Sequence, residues 1–286
     1  MLEGEHLDPE RRKLLSLSDN SRKKEVQNDA LWIDYPASDK VMKVVRNILS
    51  VPDRKQAPCL LVKGEGGTGK SSIIRQIKAC KELRDRLIFL DISFNPLNLN
   101  IYELLAEALG VPMAIRRSSL PRKALLPVEL ATVIRLREIK GIVVDEFHVL
   151  MLAQRNDQLR NLVCLKGMSN APFGLSVIGF GTVAARNALF SDKQFSRRFY
   201  NIDLNDWSES EEFRSFLVGL EEKIPLKKPS FLDSEEIVGF ILERTSGRMD
   251  DVVKLIRAAA CYSIVNGEEK ISMSLLRRAV SDPWGY

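Results

Sequence analysis

The octet Gly64-Glu65-Gly66-Gly67-Thr68-Gly69-Lys70-Ser71, entered from the apolar run Cys59-Leu60-Leu61-Val62, constrains this chain more than any other stretch. It meets G-x-x-x-x-G-K-[ST] at every fixed position and stands between a strand-like and a helix-like run, the context a phosphate-binding loop requires. Its glycines let backbone N–H groups turn inward around a phosphate chain, where a Cβ would obstruct them. Lys70 then reaches the β- and γ-phosphates, the Ser71 hydroxyl can ligate Mg²⁺, and the helix that follows adds its positive dipole end. Gly64, Glu65, Gly66, Gly67, Thr68, Gly69, Lys70, Ser71 and Ser72 are thus the candidate nucleotide cradle.

A chain of 286 residues has room for one large domain and a smaller one. No apolar run approaches the ~20 residues that span a bilayer, and the acidic start Met1-Leu2-Glu3-Gly4-Glu5-His6 has no secretory core. The four cysteines, Cys59, Cys80, Cys164 and Cys261, form no C-x-x-C pair, and three lie in apolar stretches, as buried reduced thiols do. The net charge of +5 is unevenly placed. Between Met113 and Lys140 seven basic residues face two acidic ones, a net +5 in that window alone. Such a local excess points to a polyanion, although a solvated loop and helix face gives the same pattern.

Taken in order, residues 1 to about 30 are polar and charged and read as a mobile or weakly helical arm. A helix is expected at about Ser38–Leu49, with Val41, Val44, Val45 and Ile48 on one face. The loop strand leads to a helix from Ser71 to about Leu83, a strand at Arg86–Ile92 and a helix at Ile101–Leu109. A further helix is expected around Val128–Glu138. Gly141-Ile142-Val143-Val144-Asp145-Glu146, about 75 residues beyond the loop, is an apolar strand ending in two acids, the Walker B pattern. It delivers Asp145 to a Mg²⁺ shell, while Glu146 polarises an attacking water. Asp145-Glu146-Phe147-His148 has the look of a DExH helicase box, but such enzymes need two nucleotide-binding domains; His148 reads better as packed beside the strand.

A helix at Asn156–Met168, a buried strand Leu175–Thr182 and a last strand Tyr200–Leu204 complete five strand-like runs alternating with helices. That pattern predicts a parallel sheet covered on both faces. Beyond Asp206 the chain turns helical, with segments at about Ser210–Glu222, Ser234–Thr245, Met249–Asn266 and Ser272–Ala279. This stretch carries 14 acidic and 11 basic residues over 206–280, so it is not the primary DNA surface.

The arrangement resembles an AAA+ ATPase: P-loop, Asp-Glu, a strand ending in Thr182, the pair Arg197-Arg198, then a helical lid. More narrowly it resembles the TniB/TnsC family of transposon-encoded AAA+ regulators. Trp32-Ile33-Asp34-Tyr35-Pro36, Val177-Ile178-Gly179-Phe180-Gly181-Thr182 leading into Ala184 and Ala188, Gln194–Phe199, Leu204–Trp207 and Thr245-Ser246-Gly247-Arg248 carry that likeness. It implies an α/β fold with a parallel five-stranded AAA+ sheet flanked by helices and a small C-terminal helical lid. The expected divisions are an N-terminal arm at 1–30, the nucleotide-binding domain at 31–205, the lid at 206–280 and a tail at 281–286. The resemblance gives Thr182 the sensor 1 position, Arg197 or Arg198 the arginine finger and Arg248 sensor 2. Ile33 and Tyr35 become candidates for the adenine base, with core anchoring the equal alternative. Arg116, Arg117, Arg122 and Lys123 become candidates for DNA phosphates.

Family likeness further implies ATP and Mg²⁺, a ring or helical filament of protomers on double-stranded DNA, and partners in a transposase and a target-selecting protein. It implies a prokaryotic cytosolic protein with no membrane association. Two other readings compete. A replication initiator or helicase loader commonly adds a winged-helix domain, for which this length leaves no room. A nucleotide-gated signalling scaffold would bind no DNA.

Overall fold

The computed structural model describes residues 3–29, 31–52, 54–92, 100–112, 125–151, 155–189 and 192–286. They divide into two compact units. One is Ala37–Gly66 with Lys70–Leu204; the other takes in the chain up to Pro36, the loop tip Gly67–Gly69 and Asn205–Tyr286.

The first unit is built on β1 (Cys59–Lys63), β2 (Leu87–Asp91), β3 (Gly141–Asp145), β4 (Ser176–Gly181) and β5 (Phe199–Asp203). All pair in parallel in the order β2-β3-β4-β1-β5. Every residue of β1 and β4 is buried, as befits central strands covered on both faces. The helices Pro36–Ser50, Lys70–Ala79, Ile101–Leu109, Val128–Leu136 and Arg155–Met168 belong mainly to this unit. Their apolar sides supply, among others, Val41, Val45, Ile73, Ile77, Leu105, Leu130, Leu162 and Leu165 to the buried interior. The α/β fold read from the sequence, a parallel five-stranded sheet flanked by helices, is the fold observed. The boundary that differs by more than two residues is that of the helix after the loop, which stops at Ala79, and a separate helical turn, Lys81–Arg84, carries Leu83 inward.

In the second unit, Met249–Asn266 is the central helix, in contact with Asp19–Val26, Glu235–Thr245 and Met273–Ser281. Ser210 caps the helix Glu211–Lys223 by accepting from Phe213 N–H. Of the two readings of residues 1–30, mobile or weakly helical, the structure shows the helical one, and it is anchored. Pro9–Arg12 and Asp19–Val26 are helical, and Leu7 and Val26 are buried. Arg22 is 2% exposed and donates from Nη1 to Glu269 Oε1 at 2.9 Å and from Nη2 to Glu269 Oε2 at 2.6 Å. From the central helix, Arg257 donates to Asp29 Oδ1 at 2.8 Å and to Asn28 O at 3.0 Å. Charge pairing inside the unit, with little apolar burial, fixes this segment. The C-terminal end divides: Gln27 donates to Tyr286 Oη at 2.7 Å, whereas Trp284 is 72% exposed.

Candidate functional site

Where β1 ends at Lys63, the chain enters the glycine-rich loop, and a helix starts at Lys70. Lys70 is buried, and its Nζ donates to Gly64 O and Glu65 O, each at 2.6 Å. A buried ammonium that donates to carbonyls at the root of its own loop is placed where a phosphate chain wrapped by that loop would lie. Gly64 N–H is tied to Gly181 O at 3.0 Å, which fixes the root of the loop to β4. Gly67 and Gly69 have φ of +81° and +88°, a region that disfavours any residue with a Cβ. Ser71 and Ser72 are exposed in the first turn of the helix Lys70–Ala79, where unpaired N–H groups and the dipole favour phosphate.

Strand order brings the acids to the same end of the sheet. Asp145 closes β3 opposite Asp91, the last residue of β2, and Thr182 directly follows β4. β4 lies between β3 and β1, so Thr182 stands, half-buried, between the acid pair and the root of the loop. Asp145 Oδ1 accepts from Glu146 N–H at 2.9 Å. Burial raises the Asp145 pKa, and the carboxylates of Glu146 and Asp91 push the same way; the Glu146 N–H bond and the Lys70 ammonium oppose them. This acid therefore favours a cation beside it. Glu146 has φ of +51°, an uncommon conformation for a residue with a long side chain, of the kind that clusters at functional sites. Its Oε2 lies 3.1 Å from His148 Nδ1, an ion-pair distance when the imidazole is protonated.

The remaining sequence candidates fall into distinct settings. Arg198 Nη1 donates to Ser169 Oγ at 2.7 Å and to Asn170 Oδ1 at 2.9 Å, with its guanidinium over the Phe195 ring. Its neighbour Arg197 is exposed and makes no ion pair or side-chain hydrogen bond among the described residues. In the second unit, Arg248 pairs with Asp206, Nε to Oδ1 at 3.0 Å and Nη2 to Oδ2 at 3.1 Å. Its stem runs alongside Gly67, where an added Cβ would meet Arg248 Cδ at 2.9 Å. Asp250 N–H donates to Gly67 O at 2.9 Å. Tyr35 is buried edge-on to Trp207 and Phe216, with ring centroids 5.7 and 6.1 Å apart, and burial pushes its hydroxyl pKa up to about 12. Ile33 is half-buried against Gly219. These surroundings match the core-anchoring alternative for Tyr35. Arg116, Arg117, Arg122 and Lys123 lie outside the described residues.

Among the described residues, no cluster of His, Cys, Asp and Glu forms a protein-only metal cage. Magnesium characteristically takes one or two protein oxygens together with phosphate oxygens, a donor set that Ser71 and the desolvated Asp145 can supply. Sequence reasoning passed over Asp91 and Asp206. The first carried a signal, since Leu87–Asp91 and Gly141–Asp145 are both apolar runs that end in Asp. Asp206 lies in a tract that carries the family likeness, but its pairing with Arg248 comes only from the fold.

The family model described as "Bacterial TniB protein" matches residues 22–209. Among solved structures, the Aeropyrum pernix ORC2 protein in its ADPNP-ADP complexes has a TM-score of 0.63 at 14% identity, covering 92% of this chain and 72% of that one. The ORC1 protein of the same organism, in complex with DNA, gives 0.59 at 14% identity, covering 91% and 69%. Cdc6p from Pyrobaculum aerophilum gives 0.57 at 18% identity, covering 90% and 70%. At such identities the likeness shows a common fold. No curated protein matches the chain.

Proposed function

The chain belongs to the TniB family of bacterial proteins, and on that premise we propose that it is an ATP-hydrolysing, DNA-binding AAA+ regulator of transposition. It assembles on double-stranded DNA and links a target-selecting protein to a transposase. The observation that carries the reading is the buried Lys70 ammonium inside its glycine loop, with Asp145, Glu146 and Thr182 at the same end of the sheet.

In this reading Gly64–Ser72 bind the phosphates of ATP, and Lys70 changes its loop carbonyls for phosphate oxygens. Ser71 and Asp145 hold Mg²⁺, which offsets phosphate charge when bound. Glu146, held out of the strand direction by its left-handed backbone, orients the water for in-line attack. Thr182 donates to a phosphate or to that water. Arg197 makes no side-chain bond among the described residues while Arg198 is held by Ser169 and Asn170, which supports Arg197 as the finger that reaches a neighbouring protomer's γ-phosphate, so hydrolysis requires the oligomer. Arg248 senses the nucleotide from the helical unit.

A second reading, an initiator or helicase loader, draws support from the ORC and Cdc6p fold neighbours. The family match over residues 22–209 favours transposition. The test measures ATP hydrolysis and duplex binding by the purified protein, alone and with a TniB-associated transposase. ATP-dependent duplex binding and transposase capture are expected. Binding confined to replication-origin DNA, with loading of a helicase, would move the second reading to first place.

A further inference from the structure

The opposite end of the sheet carries a charge pattern that nucleotide chemistry leaves unused. Four of the five strands are entered through basic residues: Arg54 and Lys55 before β1, Arg84 and Arg86 before β2, Arg137 and Lys140 before β3, Arg197 and Arg198 before β5. β4 has none of its own, but Arg54 Nη1 donates to the Oγ of its first residue, Ser176, at 2.6 Å. Backbone bonds fix the row in place. Lys140 N–H donates to Arg86 O at 2.8 Å, Ser176 N–H to Lys140 O at 3.0 Å and Cys59 N–H to Arg198 O at 2.9 Å. Four inter-strand spacings of about 4.8 Å make the row roughly 19 Å long.

The charges in it are largely uncompensated. Lys55, Arg86, Arg137 and Lys140 are exposed and make no ion pair among the described residues. Arg84 pairs only with exposed Asp85, at 3.4 Å, and the one other acid described in these entry segments is Glu138. Cations one strand apart lie well within the Debye length of about 8 Å and repel one another. The sheet holds them in line regardless, and a rigid row of cations is matched by a partner with regularly spaced anions.

We propose that this row, centred on Arg86, Arg137 and Lys140, binds the phosphate backbone of duplex DNA. Without the β5 entry, three spacings of about 4.8 Å give roughly 14 Å, or about four base pairs of helix axis at 3.4 Å each. The segments around Arg86, Arg137 and Lys140 contain no aromatic residue, whereas single-strand binders present aromatic platforms for stacking bases. The row also takes in the C-terminal part of the basic window at 113–140. Arg197, at the β5 extreme, stays with the neighbouring nucleotide, leaving the β2–β3 end for DNA. A five-residue strand, about 17 Å, separates this edge from Lys70, so the two sites can be perturbed separately.

The inference rests on the DNA-binding reading above. The test is fluorescence anisotropy of labelled duplexes of unrelated sequence, with a slowly hydrolysed ATP analogue, between 50 and 200 mM salt as in the range over which phosphate contacts are read. Arg86→Glu/Lys140→Glu is expected to weaken binding roughly tenfold or more on every duplex. It should also make the plot of log affinity against log salt shallower by about 2, at about 0.9 per lost phosphate contact. Fluorescent ATP-analogue affinity should not change. Should charge reversal impair folding, Arg86→Gln/Lys140→Gln is measured, with the same direction expected. Wild-type binding with an unaltered variant slope overturns the row while leaving the DNA reading intact. Failure of the wild type to bind any duplex overturns both.

Discussion

Arg22→Ala is the perturbation that separates a folded N-terminal segment from a solvated one. The guanidinium is 2% exposed and meets both oxygens of Glu269, whose Oε2 also accepts from Lys227 N–H at 3.3 Å. Asp19, 3.8 Å away and largely exposed, is a minor partner. Removing Arg22 leaves the Glu269 carboxylate buried and without its counter-charge, a loss of about 3–5 kcal/mol. For a unit of this size that lowers the melting midpoint by roughly 10–20 °C. Replacing both partners, Arg22→Met with Glu269→Gln, removes the stranded charge and is expected to recover most of the loss, since breaking a buried pair costs more than replacing it. Urea unfolding followed by tryptophan fluorescence reads both, through Trp32 and Trp207 of the same unit. A loss below about 1 kcal/mol for the single variant, the value of an exposed pair, would refute the reasoning. So would a double variant no more stable than the single.

Three further outcomes are expected. Arg197→Ala lowers kcat for ATP while leaving thermal stability unchanged, whereas Arg198→Ala leaves the Ser169 and Asn170 acceptors without their donor and costs about 1–3 kcal/mol in urea titration; reversed effects would exchange the two assignments. Glu146→Gln retains ATP and duplex DNA and stops hydrolysis; rapid release of phosphate in a single turnover would remove Glu146 from its role. Asp192 accepts from Lys166 Nζ and caps Lys193–Ser196; the Lys166 bond above all, with the cap N–H groups, holds its pKa below the ordinary value against the opposing effect of burial. Its contribution is therefore present above about pH 3.9 and lost as pH falls through the depressed value. Asp192→Ala should cost about 1 kcal/mol at neutral pH and less at pH near 3, and an equal cost at both would contradict the sign.

Local signals carried the fold well where a cap and a period agreed. Asn100 and Gly110 bracket Ile101–Leu109, and Gly267 ends Met249–Asn266; both helices were legible to the residue. All five strands lie within a residue or so of the apolar runs that announced them. The break at Cys80 was not legible, because apolar spacing continues past it to Leu83 without a glycine or proline. How the N-terminal segment is anchored was hidden for a different reason. Its main anchor is a charged residue, and the partner of Arg22 lies 247 positions away. At the candidate site the loop was readable because its chemistry is contiguous in sequence. The Asp91–Asp145 juxtaposition depends on strand pairing, and the split between Arg197 and Arg198 depends on where Ser169 and Asn170 fall. Pairings of that kind have no local signature.

The proposed function stands most directly on nucleotide-gated assembly. Electron microscopy of the purified protein with linear duplex DNA, with and without a slowly hydrolysed ATP analogue, observes it. Rings or filaments on DNA only when the analogue is present are the expected result. Nucleotide binding without any DNA-dependent assembly would contradict an assembling transposition regulator and favour a signalling scaffold.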